Sequence, residues 1–254
     1  MAAPIDKKPF HPGAAPFGNF INYYSFNPPE NRIKLLPNNF LQKISINMHD
    51  SRLVALDIGC NCGDLTVEFY NHLKRDEKCT SSQNAVNDLQ ILGCDMDDTL
   101  IQRANESNPY PQNITFINLD VTDEVASNAA FRQYLNKHNR TRFDIISCFS
   151  VTMWIHLHGG DTGLEEFLLT ISKLTDFLII EPQPWKCYKS AVKRVKKLKL
   201  GNDYFPHFES LKIRDDVVDN IDAYLERKCE MQRLHCFGQT DWNRKLLFYE
   251  KRNK

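Results

Sequence analysis

Three carboxylates stand where ligand chemistry could be done. In Leu53-Val-Ala-Leu-Asp57-Ile-Gly59-Cys-Asn61-Cys-Gly63-Asp-Leu, an apolar run carries an acid near its end and breaks into a glycine turn that opens a helix. Gly93-Cys-Asp95-Met-Asp97 and Leu119-Asp120-Val121 close two further apolar runs in the same way. Gly59 lets the backbone approach a ligand closely, and the free N–H groups of a helix starting near Gly63 meet polar or anionic atoms. The spacing Gly59-x-x-x-Gly63 is not the G-x-G-x-x-G fingerprint of a pyrophosphate site, so a dinucleotide is disfavoured. A carboxylate at Asp95 would accept two hydrogen bonds from ribose hydroxyls, charge-assisted bonds worth about 1.5–3 kcal/mol. Asp120 and its neighbour would read an adenine amino group. Taken singly each acid reads first as a helix cap or turn former; three after successive strands point to one ligand.

These loops need a scaffold of alternating strands and helices. Strand-like runs occur at Leu53–Ile58, Leu89–Cys94, Ile114–Leu119, Phe143–Phe149 and Phe177–Ile180. Between them, Leu65/Phe69/Leu73, Leu100/Ala104, Val125/Ala129 and Leu164/Phe167/Leu168/Ile171 carry helical spacing for covering a sheet face. Glu230–Phe237 and Lys245–Tyr249 read as a closing antiparallel hairpin around Gly238–Asn243. The expectation is an α/β fold with a seven-stranded mixed sheet over residues 51–254. Residues 1–50 lack that rhythm and read as an aromatic arm or lid carrying Phe10, Phe17, Phe20, Tyr23, Tyr24 and Phe26. The polar stretch Lys74–Asp88 reads as a loop insertion.

Lys and Arg total 32, Asp and Glu 32, so no global positive field gathers nucleic acid, and any such contact needs a local patch. Seven cations between Lys186 and Lys199 supply one: Lys186, Lys189, Lys193, Arg194, Lys196, Lys197 and Lys199, with Val192, Val195 and Leu198 facing inward. Such a run is also what a solvated helix face looks like. Eight cysteines without paired spacing read as reduced thiols, with no metal site expected. No apolar run reaches the roughly 20 residues that span a bilayer, and the N-terminus lacks a signal core. A cytoplasmic protein with no membrane partner, a monomer, is expected.

The Asp57-to-Gly63 segment resembles the first motif of methyltransferases that use S-adenosylmethionine. Its sulfonium and ammonium make a carboxylate there electrostatically apt. Further blocks extend the likeness: Phe17-Gly-Asn-Phe20 with Tyr23-Tyr24, Ser150-Val-Thr-Met-Trp-Ile-His156-Leu, Gly160-Asp161, and Glu181-Pro-Gln-Pro-Trp185. Over most of its length the chain resembles the bicoid-interacting-protein type of RNA methyltransferases, which methylate the 5′-terminal phosphate of RNA. The resemblance implies the Rossmann-like sheet of class I S-adenosylmethionine-dependent methyltransferases, with an N-terminal aromatic arm. It implies that Tyr24, Arg32, Gly59, Cys60, Asn61, Asp95, Met96, Asp120, Val121 and Phe149 hold the cofactor.

The same resemblance puts Tyr23, His156 and the Glu181–Lys186 block beside the phosphate. Tyr23 and His156 would donate to its oxygens, with Lys186 a nearby cation and Trp154 a wall or stacking surface. Lys189, Lys193, Arg194 and Lys197 would meet the RNA backbone. His156 reads equally as a structural histidine, and Trp154 equally as core. Family members that cap triphosphate RNA carry a lysine where this chain has Met153 and an arginine near Asn27. With two cations fewer, a 5′-monophosphate, of charge roughly −1.5 to −2, is the expected acceptor. The subgroup carrying Pro-Gly-Ala-Ala-Pro-Phe-Gly-Asn-Phe and Trp-Lys-Cys-Tyr acts on that end, in histidine tRNA and precursor microRNA. The alternative is a methyltransferase of the same fold acting on RNA 5′-triphosphate or on a small molecule.

Overall fold

The computed structural model describes residues 16–43, 52–78, 88–199 and 204–252. Phe10, Cys79, the first residues of the arm and most of the stretch from Lys74 to Asp88 lie outside them. The elements run α1 (Tyr23–Phe26), α2 (Glu30–Ile33), α3 (Phe40–Lys43), β1 (Arg52–Ile58), α4 (Asp64–Lys78), β2 (Asp88–Asp95), α5 (Asp98–Ser107), β3 (Ile114–Asn118), α6 (Glu124–Lys137), β4 (Phe143–Phe149), α7 (Thr152–Lys173), β5 (Thr175–Glu181), α8 (Trp185–Lys197), α9 (Val217–Lys228), β6 (Met231–Gln239) and β7 (Lys245–Lys251).

The strands form one sheet in the order β3-β2-β1-β4-β5-β7-β6. The first five are parallel; β7 pairs antiparallel with both β5 and β6. The strands β1, β2, β4 and β5 bury both faces over most of their length, which is why those runs read as nearly continuous apolar stretches, whereas the edge strand β3 alternates. Val54, Leu56 and Ile58 pack under α6, α7 and α8. Leu53 and Ala55 point to the other face, under α4 and α5. Strand order reverses between β1 and β4, and a crevice outside the carboxyl ends is expected at such a switch.

Three local expectations are corrected. Val125 is 81% exposed, and α6 buries Ser127, Phe131, Tyr134 and Leu135 instead of Val125 and Ala129. Asp123 caps α6 by accepting from the Ala126 N–H, and the helix it starts turns Ser127 and Phe131, each two positions beyond the apolar pair the sequence advertised, toward the core. Lys74–Lys78 continues α4 rather than opening a loop. Val195 is buried as expected, but Val192 and Leu198 are only half-buried; Tyr188 and Ala191 complete the inward face of α8. Cys60, Cys94, Cys148 and Cys229 are buried free thiols, and burial pushes the first three well up from their ordinary pKa. Among the described residues no helix is long and apolar enough to cross a membrane, and no cluster of His, Cys, Asp and Glu could hold a metal.

Candidate active site

A cavity lies at the switch point. Its floor is the carboxyl ends of four strands: Asp57–Gly59 after β1, Cys94–Met96 after β2, Leu119–Thr122 after β3 and Phe149–Val151 after β4. Gly59 has φ +73°, and a Cβ there would stand 2.4 Å from Val151 Cγ2, so only glycine lets β1 turn beside the start of α7. Asn61 also adopts a left-handed conformation, φ +54°, which asparagine tolerates better than most residues.

The carboxylates are held in different ways. Asp95 accepts the Asn61 N–H at 2.9 Å and the Asp97 N–H at 3.1 Å, one on each oxygen. Each oxygen keeps a lone pair for a ligand hydroxyl. Burial raises the Asp95 pKa, opposed by those backbone bonds. Asp57 takes hydroxyl bonds from Thr66 (2.6 Å) and Ser147 (2.7 Å), yet burial still pushes it up to about 6. A nearby cation would favour its ionised form. Asp120 is exposed on the cavity edge and orders its own turn by accepting from Thr122 N–H and Oγ1. Asp97 caps α5 and accepts from Asn19 Nδ2.

The arm crosses the mouth of the cavity. Gly18 packs directly on the Trp154 indole, where a Cβ would sit 2.2 Å from Cε2. Phe17 stacks on His158 at 4.6 Å, and His158 Nε2 donates to the Pro16 carbonyl. Asn61 Nδ2 donates to the Phe20 carbonyl, and the Tyr24 hydroxyl to the Cys60 carbonyl. Burial raises the Tyr24 pKa, keeping that proton in place.

Arg32 is fully buried on α2. It gives Nε (3.0 Å) and Nη2 (2.8 Å) to one oxygen of Glu181, and Nη2 also reaches Tyr23 Oη (2.8 Å) and Ser150 Oγ (3.0 Å). Burial would lower the guanidinium's pKa, but Glu181 outweighs it and the net shift is upward. Its Nη1 has no partner, although the residue lines the cavity. Because the Tyr23 oxygen accepts from Arg32, its proton remains to be donated.

Of the expected cofactor residues, Tyr24, Arg32, Gly59, Asn61, Asp95, Met96, Asp120, Val121 and Phe149 line this cavity, with Tyr23 and Trp154. Cys60 is buried beneath the turn and contributes its carbonyl to Tyr24. The set fits a ligand with a carboxylate for the unpaired Arg32 N–H, hydroxyls for Asp95, and a flat apolar ring for Leu119, Val121 and Phe149.

His156 requires a correction. It is fully buried outside the cavity, with Nδ1 3.0 Å from Tyr188 Oη and Nε2 2.8 Å from Asp161 Oδ1. Burial lowers its pKa, so the neutral ring accepts from Tyr188 and donates to Asp161. Asp161 also takes the Lys212 and Ile213 N–H groups, and these bonds overcome burial to hold its pKa down. Both ring nitrogens are spent tying α7 to α8 and to the loop before α9, leaving no donor for a phosphate. His156→Ala is expected to lose about 2–4 kcal/mol of stability through the cavity and the orphaned Tyr188 hydroxyl. Its kcat where folded should stay within about threefold. In the wild type, the histidine binds a proton more weakly folded than unfolded, so its contribution is lost as pH falls below about 6.5. Urea titrations between pH 5 and 8 should show that slope in the wild type and less of it in the variant. Unchanged stability with a large loss of kcat would return His156 to the phosphate.

Other expectations also shift. Lys186 is exposed on α8 and does not line the cavity. Arg194 is half-buried with its Cζ 5.0 Å above the Phe20 ring, so it braces the arm, and burial lowers its pKa. Lys189, Lys193 and Lys197 are exposed on α8. Met153 lies in the main core, 4% exposed, its N–H on Gln183 Oε1. A lysine there would start from the core rather than from the cavity wall, so that position carries little of the charge comparison. The sequence reading quoted Ser150 only as part of a block and gave it no role; Trp242 and Arg244 it missed. Trp242 Nε1 donates to Glu181 Oε1, and Arg32 stacks on its ring at 4.8 Å. Only a fold that brings a C-terminal hairpin beside β5 could reveal them.

Comparisons with known proteins give the family and the fold. Residues 143–251 match the family model described as bicoid-interacting protein 3. A relative in Danio rerio named pre-miRNA 5′-monophosphate methyltransferase is 48% identical, covering 95% of this chain and 94% of its own. The Homo sapiens RNA 5′-monophosphate methyltransferase is 41% identical over 98% of this chain and 85% of its own. Among solved structures, the plantazolicin methyltransferase BpumL with SAH superposes with TM-score 0.55 at 14% identity, over 91% of this chain and 89% of that one, a likeness of fold. The CurJ carbon methyltransferase matches at TM-score 0.52 and 14% identity, over 85% of this chain and 54% of that one. With these relatives aligned along nearly its whole length, the chain belongs to the bicoid-interacting protein 3 family of methyltransferases.

Proposed function

We propose that this protein transfers a methyl group from S-adenosylmethionine to the 5′-monophosphate of an RNA. The observation that carries the reading is the cavity's division of labour. Asp95 keeps lone pairs for the cofactor's hydroxyls and the unpaired Arg32 N–H suits its carboxylate, while Tyr23, with a proton left to donate, and Ser150 line the same cavity beside Arg32. When bound, the cofactor supplies an electrophilic methyl on a sulfonium. A phosphate whose second pKa is near 6 is already largely dianionic at neutral pH and needs no general base. The chain's own contribution is then alignment, which supplies several kcal/mol of the barrier, and exclusion of water by the arm. The Tyr23 hydroxyl orients a phosphate oxygen. Asp57 stabilises the cationic end of the donor and stays ionised when that charge is present.

Residues 1–50 act as the lid of a catalytic domain formed by 51–254. On α8, Lys186, Lys189, Lys193 and Lys197 follow i, i+3 and i+4 spacing, a single exposed stripe, and none is ion-paired among the described residues. Like charges so placed repel unless an anion neutralises them, and the stripe borders the arm through Arg194 and Phe20. It positions the RNA backbone. The Danio rerio relative's name favours precursor microRNA as substrate, and the subgroup resemblance adds histidine tRNA; the form proposed is a cytoplasmic monomer.

Mass analysis of RNA 5′ ends after incubation with the protein and S-adenosylmethionine tests the reading. Methyl on the terminal phosphate is expected; methyl on a base or ribose would overturn it. For the stripe, Lys189→Gln with Lys193→Gln and Lys197→Gln should weaken RNA binding. The slope of log affinity against log salt should flatten by about two to three units, near 0.7–0.9 per lost contact. An unchanged slope would make the stripe a solvated face.

A further inference from the structure

We propose that Arg244, on the hairpin between β6 and β7, supplies the positive charge of the seat for the substrate's 5′-phosphate, acting through Ser150. The inference rests on the function proposed above and names a residue in a segment far from every motif.

Ser150 is fixed from all sides. Its φ is +61°, a strained conformation for serine, and such strain persists only where surroundings over-determine it. Its N–H donates to the Glu181 carbonyl, and its own carbonyl accepts from Gln183 Nε2. The hydroxyl donates to Glu181 and accepts from Arg32 Nη2 and from Arg244 Nη1 at 2.5 Å. Two guanidinium groups therefore converge on one hydroxyl at the cavity wall.

Their charges are balanced unequally. Glu181 pairs with Arg32. Arg244 has no carboxylate partner among the described residues: Nη1 rests on the neutral serine, Nη2 only approaches Cys187 Sγ at 4.0 Å, and the buried Nε has no acceptor. A half-buried guanidinium left in that state is stabilised by an anion. The hairpin is rigid enough to present it: Thr240 N–H donates to the Arg244 carbonyl, and the Arg244 N–H donates to Thr240 Oγ1.

Phosphate, rather than the cofactor's carboxylate, is the anion the position favours. Tyr24 is tied to the Gly59–Asn61 turn through the Cys60 carbonyl. Arg244 is not itself a lining residue: it meets the cavity through Ser150 and approaches Cys187 in the first turn of the lysine-rich α8, where an RNA end held by the stripe would enter.

Arg244→Met and Arg244→Lys test this, with RNA carrying a 5′-monophosphate or a 5′-hydroxyl and with S-adenosylhomocysteine titrated separately. In the methionine variant we expect KM for the phosphorylated RNA to rise about tenfold or more. The binding preference for the phosphorylated over the hydroxyl end should fall by a similar factor, S-adenosylhomocysteine affinity should stay within about twofold, and lysine should recover part of the loss. An unchanged KM and phosphate preference would overturn the proposal. So would weakened S-adenosylhomocysteine affinity with unchanged KM, which assigns Arg244 to the cofactor. Wild-type protein that ignores the 5′ phosphate would instead defeat the underlying function. Should the methionine variant not fold, the lysine variant still decides: with its shorter, non-planar head group it should raise KM for phosphorylated RNA without affecting S-adenosylhomocysteine, and no change in KM overturns the proposal.

Discussion

Replacing Asp95 by Ala is expected to weaken S-adenosylhomocysteine binding by about a hundredfold, read by titration calorimetry. Two charge-assisted hydrogen bonds to ribose hydroxyls carry about 3 kcal/mol between them at the low end of their range, and 1.4 kcal/mol is a factor of ten. The structure adds a second route to the same loss. Asp95 holds the Asn61 and Asp97 N–H groups, so its removal also loosens the turn after β1. Asp95→Asn separates the two. It keeps an acceptor for one N–H and should retain more of the unliganded protein's thermal stability than Ala, while still losing at least tenfold in affinity. Affinity within threefold of wild type in the Ala variant would remove Asp95 from the cofactor site.

The second large effect is expected at Arg32. Arg32→Met leaves Glu181, also fully buried, without its cation. Breaking a buried pair from one side typically costs about 3–5 kcal/mol, and urea unfolding should show a loss of that size. Removing both charges in Arg32→Met with Glu181→Gln should recover much of it, because the amide still accepts from Trp242 Nε1 and no charge is stranded. Catalysis should not recover with stability: the double variant still lacks the N–H groups that reach Tyr23 and Ser150. A single variant less than about 1 kcal/mol weaker than wild type would contradict the buried-pair account.

Much of this architecture was legible because both sheet faces are covered. Phe143–Phe149 matches β4 at both ends, and the other strands differ by a few residues at most. The register of α6 was not legible. Its first turn is set by the Asp123 cap rather than by an apolar stripe, so the exposed Val125 misleads a periodicity count. In the site, the acids at strand ends were readable because each chemical group sits next in sequence to the strand that positions it. The Arg32–Glu181–Ser150–Trp242–Arg244 cluster was not, since its members come from an arm, two strand ends and a hairpin as far apart in the chain as positions 32 and 244. His156 shows the opposite failure. A histidine inside a recognisable block draws a catalytic reading, yet its partners Tyr188 and Asp161 turn it into a tie between helices.

Initial rates of methyl transfer to one RNA prepared with a 5′-monophosphate and with a 5′-hydroxyl test the central claim most directly. Transfer to the phosphorylated form, and none above background to the hydroxyl form, is the predicted result. Equal rates on the two would contradict it.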